Sequence, residues 1–109
     1  MDNLWSVEFL NNTVENEFDG LPKNAQAKLV RIVDLIEEFG LPNVGMPYLR
    51  HLQNKIWEMR AKGRDGIARA LYISETGKRV IILRIFIKKT QKTPKKEIRI
   101  ALSRIQEIK

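Results

Sequence analysis

"KIWEMRAKGRDGIARALYISETGKRVIILRIFIK", residues 55–88, decides the fold. KIWEMRA (55–61), IARALYIS (67–74) and RVIILRIFIK (79–88) are rich in β-branched and aromatic residues and read as strands. KGRDG and ETG between them are short and glycine-bearing, as hairpin turns are. Three strands joined by two such turns form an antiparallel meander.

On the N-terminal side, LWSVEFL (4–10) alternates and reads as a first strand, and TVENEF (13–18) as a short helix. LPKNAQAKLVRIVDLIEEFG (21–40) is the clearest helix. Pro22 suits its first turn, and Ala25, Leu29, Ile32, Val33, Ile36 and Phe39 make an apolar stripe that Gly40 ends. LPNVGMPYLRHLQN (41–54), with two prolines and a glycine, reads as a loop with at most one helical turn. On the C-terminal side, TPKKEIRIALSRIQEI (93–108) reads as a helix. Thr93 is its expected N-cap, Pro94 takes the first helical position, and Ile98, Ala101, Leu102, Ile105 and Ile108 face inward. The expectation is a single α+β domain over 1–109, its N-terminal strand and helices packed on a twisted, mainly antiparallel sheet, with a C-terminal helix.

The chain contains no cysteine and one histidine, His51, so a disulfide framework, a cysteine-based zinc site and a multi-histidine metal site are excluded. MDNLWSVEFL lacks the basic and apolar segments of a signal peptide, and no apolar run reaches the ~20 residues of a membrane span. The expectation is a cytoplasmic protein with no cofactor, no metal and no membrane partner.

Charge divides the chain. Residues 1–49 carry three basic and eight acidic side chains, whereas residues 50–109 carry 17 basic and five acidic. A basic half of this kind is the electrostatic footprint of a nucleic-acid binder. Uniform alternation puts Glu58, Arg60, Arg69, Arg84 and Lys88 on one face of the meander, with Trp57, Met59 and Tyr72 on the other, in the core. It also makes Ile81, Leu83, Ile85 and Ile87 one apolar side of the last strand. A Glu58 ion pair with Arg60 or Arg69, and an Arg84 that snorkels to water, would account for individual charges. Four cations against one glutamate favour a phosphate-binding face. FIKKTQKTPKKEI (86–98) extends it with five lysines before its first acid, Glu97.

KIWEMRAKGRDGIARALY and IILRIFIKKTQKTPKKEIRIALSRI resemble the HigB-like, phage-associated branch of the RelE/ParE toxin superfamily. Its members carry LWELR and YRILY strands followed by LLHGFVKKTQKTPKKEIELAKKR. The likeness extends to the N-terminal helical part. Arg84-Ile85 stands where the branch usually has His-Gly, and Ala68 where it has an aromatic. The resemblance implies a RelE-like fold and a type II toxin acting as a ribosome-dependent endoribonuclease. The ribosome and messenger RNA would be its targets, and a cognate antitoxin, a small helix-turn-helix protein, its partner. A non-catalytic basic RNA- or DNA-binding module and a ParE-like gyrase inhibitor are the alternatives.

Cleavage by the RNA's own 2′-hydroxyl needs a base, positive charge for the phosphorane and an acid. Arg60 and Arg69 are the expected phosphate ligands, since arginine is a planar fork that stays charged. Lys88 and Lys89 are candidate bases, because crowded cations favour a neutral lysine, and Glu58 is the rival base. Arg84, Lys92, Lys95, Lys96 and Lys55 are expected to hold RNA. His51, a lone histidine in a loop, is expected to be a surface or structural residue.

Overall fold

A computed structural model describes residues 4–108. Its elements run β1 (Ser6–Phe9), α1 (Asn12–Asp19), α2 (Lys23–Phe39), a 3-10 turn (Leu41–Asn43), β2 (Leu49–Gln53), β3 (Ile56–Gly63), β4 (Gly66–Glu75), β5 (Arg79–Lys88), α3 (Lys95–Arg104) and a final 3-10 turn (Ile105–Glu107). The five strands form one sheet in the order β1-β5-β4-β3-β2. β2 through β5 pair antiparallel, and β1 runs parallel to β5. The expected N-terminal strand is therefore an edge of the sheet itself.

The sheet is covered on both faces. On one, Val14 of α1 and Ala25, Leu29, Ile32 and Ile36 of α2 pack on Leu49, Met59, Ala61, Ala68, Ala70, Tyr72, Val80, Ile82 and Ile85. On the other, Ile98 and Ala101 of α3 pack on Ile56, Leu71, Ile73, Ile81, Leu83 and Phe86. Asn11 caps α1 by accepting the Val14 N–H on its side chain. Gly40 ends α2 at φ 88°, and a Cβ there would lie 3.1 Å from Trp5 Nε1, so a side chain is excluded by conformation and space together. Phe39, assigned to the α2 stripe, is instead 55 % exposed at the C-terminal end of the helix.

Three further expectations are corrected. The segment read as a loop contains β2, an edge strand with Leu49 its only buried residue, so no alternation marks it. β5 does not alternate uniformly. Leu71 pairs with Arg84 but Tyr72 with Ile82, so Leu83 is an extra residue at a bulge. Leu83 therefore joins Ile81 under α3, whereas Ile85 and Ile87 turn to the α2 side. Trp57, assigned to the core, is 41 % exposed and meets His51 edge-on at 5.2 Å across the β2–β3 edge. Met59 and Tyr72 are buried as expected, and burial raises the Tyr72 hydroxyl pKa.

Beyond β1, β5 would expose an unpaired edge. The Ile85 N–H donates to Glu17 Oε1 at 3.0 Å, and the Leu83 carbonyl accepts from Arg104 at 2.8 Å. Arg84 joins this belt, donating to Glu97 at 2.6 Å and Glu17 at 2.7 Å. Burial would raise the Glu17 carboxyl. Its bonds to Arg104, the Ile85 N–H and Arg84 outweigh that and hold its pKa below the usual value. Burial alone would lower the Arg84 guanidinium pKa, but Glu97 and Glu17 turn that into a rise.

Candidate nucleic-acid interface

The chain between β5 and α3, residues 89–94, folds back over the face of the sheet that bears the charged residues. The register brings those residues together. Arg60 pairs with Arg69, and Glu58 with Arg50 on β2. Arg50, Glu58, Arg60 and Arg69 therefore share one face at adjacent positions.

Glu58 lies at the centre and is fully buried. Its Oε2 accepts from Arg60 at 2.9 Å, and its Oε1 accepts from the Thr93 hydroxyl. Arg69 Nε stands 3.3 Å from Oε1, an ion-pair contact without hydrogen-bond geometry. Thr93 thus ties the loop to the sheet, and the helix N-cap falls one residue later than expected, at Pro94.

Arg69 is equally buried, at 0 % exposure. Its guanidinium donates to the Lys88 carbonyl at 3.4 Å, to the Thr90 carbonyl, and to the Gln91 carbonyl at 3.0 Å. The Phe86 ring lies 5.8 Å from its central carbon. Arg60 donates to the same Gln91 carbonyl from both terminal nitrogens at 3.2 Å. Two arginines hold one loop by its carbonyl oxygens. Desolvation lowers the Arg69 pKa, Glu58 opposes this, and the nearby charges of Arg60 and Arg50 add to it.

Three clefts open around Gln91, which lies in the wall of each. The first, about 430 Å³ between α2 and the β2–β3 edge, is bordered by Lys28, Arg31, Arg50, Arg60 and Lys62. The second, about 540 Å³ between β2 and the start of α3, carries Arg50, His51, Lys92 and Lys95. The third, about 560 Å³ at the β3–β4 turn, carries Lys62, Arg64 and Lys89. Among the described residues, no carboxylate lines any of the three. Gly66 closes the third cleft's floor at φ 125°, where a Cβ would meet the Lys88 carbonyl at 3.1 Å.

The expected site residues separate into groups. Arg60, 11 % exposed at its side chain, reaches a cleft from above the buried layer. Lys89, Lys92 and Lys95 line clefts. Lys88 and Lys96 are exposed beside them without lining one. Glu58 and Arg69, expected to meet substrate, have no exposed side-chain surface because the 89–94 loop covers them. Arg84, expected on the basic face, is committed to Glu17 and Glu97 at the β5 edge. Lys55 sits in the turn between β2 and β3, outside all three clefts. His51 is exposed, and one ring nitrogen lies 2.8 Å from the Asn54 carbonyl.

Sequence reading missed Arg50, Lys28, Arg31 and Gln91. Arg50 was hidden by the loop assignment of β2. Its only signal was its position three residues after Pro47, in a segment with no alternation to mark a strand.

An α+β sheet with three cation-lined clefts at one end defines a small basic domain of the RelE-like fold. It superposes on a double mutant of the E. coli toxin RelE in the free state with a TM-score of 0.59 and 16 % identity, over 94 % of this chain and 98 % of that one. The family described as phage derived protein Gp49-like (DUF891) matches residues 16–106, and the chain belongs to that family. Comparison with curated proteins finds no match. Among the described residues, no helix is long and apolar enough to cross a membrane.

Proposed function

We propose that the protein is the toxin of a type II toxin–antitoxin pair, of the HigB-like branch, and an endoribonuclease that cuts messenger RNA on the ribosome. The observation that carries this reading is the convergence of three cation-lined, carboxylate-free clefts on one loop. A polyanion laid in them meets cations and no carboxylate among the described residues of their walls, and its phosphates find donors in several orientations. The RelE-like fold and the phage-derived family support the same reading.

In this reading Arg60 and Arg50 hold the scissile phosphate as the neighbouring 2′-hydroxyl attacks phosphorus and the 5′-oxygen leaves. Glu58 acts through Arg60, fixing the direction of its guanidinium. Arg69 positions the loop and so the lysines on it. Lys89 is the assigned proton-transfer group, taking the proton of the 2′-hydroxyl and passing it to the leaving 5′-oxygen, with Lys88 beside it at the strand end. Lys92, Lys95 and Lys96 guide the RNA backbone. A cognate antitoxin, a small helix-turn-helix protein, covers this face in the resting cell.

Induced expression followed by mapping of messenger RNA ends tests the proposal. New ends inside coding regions, absent in Arg60→Ala, are the expected result. Removing one preorganised donor should lower single-turnover cleavage on programmed ribosomes by about 10²–10³-fold. Growth arrest with intact messenger RNA would refute the nuclease, and DNA-damage signalling in its place would support the gyrase-inhibitor alternative.

A further inference from the structure

The first cleft differs from the other two in its walls. Its floor is apolar, made by Ile32, Leu49 and Ala61, and Met46, Pro47 and Tyr48 form one side. Tyr48 is 41 % exposed and Met46 85 % exposed. Leaving such side chains in water forgoes their burial energy, yet the Tyr48 backbone is held firmly. Its carbonyl accepts from the Arg60 N–H at 2.8 Å, and its own N–H donates to the Gly45 carbonyl at 3.0 Å. The rim is also fixed, with Lys28 Nζ donating to the Lys62 carbonyl at 2.9 Å.

We propose that this cleft seats one unpaired nucleobase against Tyr48, with the adjoining phosphate on Arg50 and Arg60. The proposal rests on reading this face as an RNA-binding surface and names the ligand class it selects. A surface for phosphates alone needs cations and no apolar wall. An aromatic and apolar wall beneath a ring of cations, with no carboxylate, complements a strand that alternates flat apolar bases with negative charge. A base inside a duplex keeps both faces stacked and does not enter, so the cleft selects single strands. Gln91 in the wall offers amide donors and an acceptor to the base edge. Tyr48 and Met46 lie in a stretch that sequence patterning assigns to a loop, and nothing in their local sequence suggests a binding role.

The experiment measures binding of the full chain to three labelled probes by fluorescence anisotropy: a short single-stranded RNA, the same strand without bases, and an RNA duplex. Tyr48→Ala should weaken the intact strand by about 5–150-fold, the range one stacked base supplies. It should leave the base-free strand, the duplex and the salt dependence unchanged, and Tyr48→Phe should retain wild-type affinity. A melting curve confirms that each variant folds. Equal losses on all three probes, or no loss on the intact strand, would overturn the proposal. So would Tyr48-dependent binding of an acidic, apolar peptide when RNA binding ignores Tyr48, because that assigns the cleft to a protein partner. Tyr48-dependent RNA binding without messenger RNA cleavage would refute the nuclease and leave the base seat standing. Cleavage by Tyr48→Ala at the wild-type rate and the same positions would refute the base seat and leave the nuclease standing.

Discussion

Arg69→Ala should unfold the protein more easily before it does anything to catalysis. The wild-type side chain is wholly buried, paired with a wholly buried Glu58 and bonded to three carbonyls of the strand end and loop, those of Lys88, Thr90 and Gln91. Truncation leaves Glu58 with Arg60 as its one guanidinium partner, removes the Arg69 donor from the Lys88 and Thr90 carbonyls, leaves the Gln91 carbonyl to Arg60 alone, and opens a cavity beside Phe86. Breaking a buried pair from one side costs about 3–5 kcal/mol. At ~2.1 cal/mol/K per residue, a chain of 109 residues has an unfolding entropy of about 0.23 kcal/mol/K, so the melting temperature should fall by about 13–22 °C. Arg69→Lys keeps the charge but replaces a planar fork with a single ammonium, so it should fall between wild type and alanine. Thermal melts followed by circular dichroism at neutral pH, with hydrogen exchange of residues 88–93, provide the test. A melting temperature for Arg69→Ala within about 3 °C of wild type would refute the clamp, and Arg69 would return to consideration as a group that meets substrate.

Glu17 has a lowered folded pKa, so its contribution to stability is present above the ordinary value of 4.5 and is lost as pH falls through the lowered one. Wild type should therefore lose stability to urea as pH falls from neutral to below 4.5, and Glu17→Gln should lose less; an equal loss in both would show that Glu17 is not part of the acid response. Arg50→Ala should reduce the slope of log affinity for single-stranded RNA against log salt by about 0.7, one phosphate's worth, and Lys55→Ala, outside the clefts, should not change it. Equal slope changes for the two would mean the clefts do not define the RNA path. Lys89→Arg keeps the charge but replaces the amine with a guanidinium that cannot take up the 2′-hydroxyl proton, so RNA binding should persist while single-turnover cleavage falls by about 10²–10⁴-fold. Cleavage at the wild-type rate would remove Lys89 from proton transfer.

What was legible in the sequence was what short-range physics settles. Glycine turns and β-branched runs placed β3, β4 and β5, because each strand is long enough for its pattern to show. The α2 stripe placed Ala25, Leu29, Ile32 and Ile36 against the sheet, since a helix buries one stripe whatever lies opposite. The imbalance of charge marked the C-terminal half as the basic one. β2 was not legible, because a short edge strand buries one residue and borrows its conformation from the neighbour it pairs with. The bulge at Leu83 was not legible either, since one unpaired residue leaves no mark in a run of β-branched side chains, yet it reverses which side Ile85 faces. The site depended most on tertiary structure. Arg60 and Arg69 look alike in sequence, each in a strand among apolar neighbours. The chain between β5 and α3 then folds back across one of them. That return buries Arg69 and Glu58 and leaves Arg60 partly exposed, while the packing of α2 and β2 beside β3 brings Lys28, Arg31 and Arg50 to the rim from elements far away in sequence. The amount of positive charge is a matter of composition alone; which charges face solvent was decided by a loop whose path depends on carbonyl contacts that no local pattern encodes.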